Sequence, residues 1–125
     1  MNQAVRPREF GLLHLRLPVG AVTSILHRVT GLLLIVLVGA LIVLLRKALA
    51  SPQGYMRVAT ILGGPAAHVL GPLAVWVVAQ HTYAGLRHLA LDGGLVQGRR
   101  AGRASAIAVL VVAAATAFAA ALLWP

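Results

Sequence analysis

"VTGLLLIVLVGALIVLL", residues 29–45, contains no charged residue and a single hydroxyl. A helix that faces water on one side shows polar residues at every third or fourth position, and here that side is missing, so the segment is apolar all round. The uncharged residues 21–26 precede it, interrupted only by His27 and Arg28. Together they reach the ~20 residues that cross ~30 Å of hydrocarbon. The stretch is a membrane span.

Two further charge-free windows follow, 58–86 and 104–125. Of the 125 residues, 60% are hydrophobic and only 10% charged, with a mean hydropathy of +0.91. So few charges cannot wet the surface of a small soluble fold. The expected architecture is an all-α membrane protein with three transmembrane helices in one domain: an arm over 1–19, helix one over about 20–49, helix two over about 66–92 and helix three over about 104–124. Pro18 blocks backward extension of helix one. "SPQG" (51–54) has the proline and glycine of a type I turn, and 55–62 fits a short interfacial helix before the break at Gly63, Gly64 and Pro65. "DGG" and "GRRAGR" form the second loop.

The net charge of +9 resides in the arm and the loops, with no aromatic-interleaved basic patch, which excludes nucleic acid as the partner. It reads as a topology signal. Arg6, Arg8, Arg16 and Arg28 precede or open helix one and Arg87, Arg99, Arg100 and Arg103 surround the second loop, against Arg46, Lys47 and Arg57 in the first loop, eight against three. The N-terminus and second loop are expected inside and the C-terminus outside. The first twenty residues carry four charges and no apolar run, so they are not expected to be a cleaved signal. No cysteine is present, so disulfides, thiolate metal sites and covalently attached haem are excluded, and any metal falls to histidine or carboxylate.

The alanine-rich 113–121 provides small residues for close packing in lipid, and Tyr55 and Trp124 are expected interfacial anchors. Chemistry concentrates in "HTYAGLRHLALD", 81–92, where His81, Gly85, His88 and Asp92 share one helical stripe. His81 lies ~16 Å along the axis from Asp92, near mid-bilayer. A neutral histidine at that depth serves either as a hydrogen-bond partner across a helix interface or as a metal ligand, and the residues alone leave both open. Gly85, one turn on, clears space for a planar group. Arg87 is expected to snorkel to the boundary and Asp92 to end the helix or to pair with Arg87 or His88. His14 and His68 are expected to be solvated or interfacial. In "SILHR", 24–28, Ser24 and Arg28 are four residues apart on one face, either returning to backbone and headgroups or addressing a polar ligand at the membrane edge.

The arm ending in "RLP", "SILHRVTG" opening the first span, "SPQG" in the first loop and the pair of histidines with "D" in "HTYAGLRHLALD" occur in this order over a chain of this length. In these features the sequence resembles the cytochrome b subunits of succinate dehydrogenase. The resemblance implies half of a heterodimeric haem-binding anchor bundle, in which a second small anchor subunit shares a b haem with this chain. It implies His81 as an axial iron ligand, Ser24 and Arg28 at a ubiquinone or menaquinone site, and His27 with Arg28 near the haem propionates. His88 and Asp92 belong to the motif without an assigned role. The iron–sulfur and flavoprotein subunits would be the other partners, and a bacterial inner membrane the location. A quinol:fumarate reductase anchor, or a structural anchor without cofactor, would be built from the same parts.

Overall fold

The computed structural model describes residues 17–124, and the arm containing Arg6, Arg8, His14 and Arg16 lies outside that range. Four helices make up the described residues: α1 (Val19–Ala50), α2 (Pro52–Leu62), α3 (Pro65–Asp92) and α4 (Gly98–Leu123). α1, α3 and α4 are long and apolar enough to span a membrane. The chain is an integral, all-α membrane protein. α1 exposes Leu32, Ile35, Val36, Leu41 and Ile42, a surface that only hydrocarbon or another apolar protein face can cover.

The break between α1 and α2 is sharper than a separate turn. Ser51 is extended at φ −167° and Pro52 takes the first helical position, so α1 cannot continue while α2 starts at once. The Ser51 hydroxyl accepts from the Gly54 N–H at 3.0 Å, an N-terminal cap. "SPQG" is therefore a cap and the first turn of α2, not a free turn. Gly54 is required there, because a Cβ would collide with the Lys47 carbonyl.

A second correction concerns "GRRAGR". It begins α4 at Gly98, six residues ahead of the expected start at 104, because Gly94 and Gly98 adopt φ of +70° and +82° and complete the reversal within a shorter loop. Arg99, Arg100 and Arg103 thus stand on the first turns of α4, where together with Arg87 and Leu17–Gly20 they line an open cavity of about 850 Å³.

The seam between α3 and α4 is built from small residues: Ala84, Ala106 and Ala113 are fully buried. Without a hydrophobic drive between helices in lipid, close backbone approach supplies the van der Waals attraction. At the opposite end from the arginines, the Trp124 indole lies over Gly71 and its N–H donates to the Leu62 carbonyl at 3.3 Å. Beyond an interfacial anchor, Trp124 is a tie from the end of α4 to the end of α2.

Candidate functional site

The stripe on α3 and the "SILHR" segment of α1 meet. His27 of α1 lies between the two histidines of α3: its ring centroid is 4.3 Å from that of His81, with the planes at 21°, and 5.1 Å from that of His88, at 43°. Glycines on both helices allow this approach. A Cβ on Gly85 would sit 3.3 Å from His27 Nε2, and one on Gly31 would sit 3.1 Å from His81 Cε1. Gly85 does clear space for a planar group, but the group occupying it is the His27 imidazole.

His81 Nδ1 lies 3.1 Å from the backbone carbonyl of His27. A carbonyl only accepts, so Nδ1 carries the proton and, in the neutral ring, Nε2 keeps the lone pair. Proteins use a carbonyl contact of this kind to orient a histidine whose other nitrogen binds a metal. Among the described residues, no three histidines, carboxylates or thiols are disposed to hold a bare ion between them. The imidazoles stack instead of converging. The donor set fits a group that brings its own equatorial ligands and asks the protein for an axial nitrogen, as haem does.

The expected site residues separate by face. His27 turns toward α3, whereas the neighbouring Arg28 is exposed and Ser24 half-buried on the adjacent flank of α1. A hydroxyl and a guanidinium are thus presented at the edge of the histidine cluster, available to whatever packs there. His88 joins the stack through His27. Asp92 is exposed at the end of α3, and His68 is exposed in the first turns of α3, where its Nδ1 meets the Gly64 carbonyl at 3.0 Å.

Arg87 does not snorkel, nor does it pair with Asp92. Its Nε donates to Ser105 Oγ at 3.1 Å and its Nη2 to the Gly102 carbonyl at 3.1 Å, clasping α3 to the start of α4. Gly20 of α1 lies against the same guanidinium, 3.5 Å from a Cβ placed there. Ser105, six residues beyond Arg99, is the sequence signal for that clasp only once α4 is known to begin at Gly98.

Three buried polar residues escaped the sequence reading. Thr23 returns its hydroxyl to the Val19 carbonyl at 3.1 Å, and Thr30 donates to Leu26 O at 2.7 Å and His27 O at 3.1 Å. Gln80, adjacent to His81, is fully buried with neither side-chain atom partnered among the described residues. The signal for Thr30 was its spacing, three residues after His27 on the inward face.

Fold and site together define a three-span helical membrane protein with a histidine cluster at the junction of two spans. The conserved pattern of succinate dehydrogenase/fumarate reductase transmembrane subunits matches residues 3–120, and the chain belongs to that family. It is 34% identical over 113 residues to the succinate dehydrogenase cytochrome b556 subunit of Coxiella burnetii (strain RSA 493 / Nine Mile phase I), covering 87% of this chain and 88% of that one. It is 31% identical over 94 residues to the succinate dehydrogenase cytochrome b556 subunit of Paracoccus denitrificans, covering 75% and 72%.

Proposed function

We propose that the chain is the cytochrome b anchor of a bacterial succinate:quinone oxidoreductase, in which His81 would bind the iron of a b haem held jointly with a second small anchor subunit. The observation that carries this reading is the His81 Nδ1 contact with the His27 carbonyl, which orients the ring and leaves the Nε2 lone pair free to bind a metal. The cytochrome b556 names of both relatives support it. Because those relatives are both named for succinate dehydrogenase, succinate oxidation is preferred to fumarate reduction as the physiological direction. The chain provides the membrane seat for the iron–sulfur and flavoprotein subunits and performs no chemistry on succinate itself.

Bound haem would supply a one-electron store beside the quinone. This chain's own residues do the positioning. The exposed Arg28 guanidinium stabilises negative charge developing on a quinone oxygen as it is reduced, and the Ser24 hydroxyl, one turn away, holds the ring by a hydrogen bond. His27, next to Arg28, provides a polar edge for the haem propionates. Topology follows from charge: the end carrying Arg28, Arg87, Arg99, Arg100 and Arg103 faces the cytoplasm, where the soluble subunits dock.

The test is purification in mild detergent followed by a reduced-minus-oxidised spectrum. Extraction with two large soluble subunits, a second small membrane subunit and a low-spin b-type spectrum is the expected result. A colourless chain that comes out alone would overturn the reading.

A further inference from the structure

The His27 carbonyl is a shared acceptor. It receives His81 Nδ1–H at 3.1 Å from α3 and, also at 3.1 Å, the hydroxyl of the fully buried Thr30, whose single proton is shared with the nearer Leu26 O at 2.7 Å. The next residue, Gly31, faces the His81 ring, and a Cβ there would stand 3.1 Å from Cε1, the carbon joining the two ring nitrogens. That separation is tighter than ordinary van der Waals contact, so the ring would have to shift. Two consecutive residues of α1 therefore control one imidazole of α3: Thr30 through the strength of the acceptor and Gly31 through the space the ring occupies.

We infer that Thr30 and Gly31 are positioning residues that tune His81 as an iron ligand. The inference rests on the reading of His81 as the axial ligand. A carbonyl that already accepts from a hydroxyl has less electron density for a second donor, so the Thr30 hydroxyl weakens the His81 Nδ1–H···O bond. A weaker bond at Nδ1 makes Nε2 a poorer donor to iron, which favours the reduced state. Removing the hydroxyl should have the reverse effect. Gly31 acts on orientation: a methyl group beside Cε1 rotates or lifts the ring relative to the direction in which Nε2 points.

The experiment compares Thr30→Val, Thr30→Ser, Gly31→Ala and His81→Ala in the assembled four-subunit complex. Assembly is monitored by subunit ratio and by succinate oxidation with an artificial acceptor that takes electrons ahead of the quinone. Thr30→Val is expected to shift the haem midpoint potential to more negative values and to change the coupling of the remote histidine nitrogen in pulsed EPR, while Thr30→Ser stays at the native values. Gly31→Ala is expected to shift the low-spin EPR signal even though alanine is the better helix former. If Thr30→Val does not assemble, Thr30→Ala replaces it in the same comparison. Native potential, EPR signal and nitrogen coupling in the assembled Thr30 and Gly31 variants, with the haem lost from His81→Ala, would overturn this inference alone. A native spectrum in assembled His81→Ala would instead overturn the ligand assignment beneath it.

Discussion

His81 of α3 and His27 of α1 are coupled twice: their rings stack at 4.3 Å, and Nδ1 of one meets the backbone carbonyl of the other at 3.1 Å. A side chain within a long apolar helix is thereby held from a different helix, with no charged group involved. Such a contact is costly to lose in lipid, because no water replaces it.

Replacement of His81 by Ala should abolish the native low-spin b spectrum or displace it strongly, whereas His68→Ala, at an exposed position in the first turns of α3, should leave it intact. Difference spectra on assembled complexes decide the matter. An unchanged spectrum in the His81 variant moves the ligand elsewhere.

Arg28→Leu and Ser24→Ala should each lower quinone turnover ten-fold or more, since one charged hydrogen bond used mainly in the transition state is worth ~2–4 kcal/mol of barrier. Succinate oxidation with the artificial acceptor should remain near native, and the haem spectrum of the same preparation checks for damage at the propionates. Survival of both quinone turnover and quinone-site inhibitor binding would return the two residues to an ordinary boundary role.

Arg87→Met should act differently. It retains length and apolar stem but removes the donors to Ser105 and Gly102, at a cost of about 1–3 kcal/mol for a partly screened charged contact. Thermal inactivation of the complex should come at a lower temperature while quinone turnover per assembled complex changes little. A large loss of turnover with native stability would place Arg87 in the quinone site instead.

Reporter fusions at Gly54, in α2, and after Pro125 should both read as outside. The arginine and lysine asymmetry motivates this, and the Trp124 contact with Leu62 places the end of α4 beside α2. An inside signal at either position would reverse the orientation and put Ser24, Arg28 and the histidine cluster on the wrong face for the soluble subunits.

Three membrane-crossing helices were legible from the residues alone, because the length of an apolar run is a local property set against a bilayer of fixed thickness. It also marked His81, His88, Ser24 and Arg28, since titratable and polar groups stand out in an apolar helix and their spacing fixes which of them share a face. Which side chains meet depended on how the helices pack. Periodicity placed His27 beside Arg28 but could not show that His27 enters a gap over Gly85 while Arg28 stays exposed, because that depends on how α1 is rotated against α3. Arg87 read as a boundary charge because a guanidinium on one helix does not disclose its acceptors on another, and those acceptors, Ser105 Oγ and Gly102 O, lie in a stretch whose helical state depends on two glycines at positive φ. The carbonyl that orients His81 belongs to the backbone of a residue 54 positions away. Backbone groups carry no sequence signature, so only the packing of the two helices could reveal it.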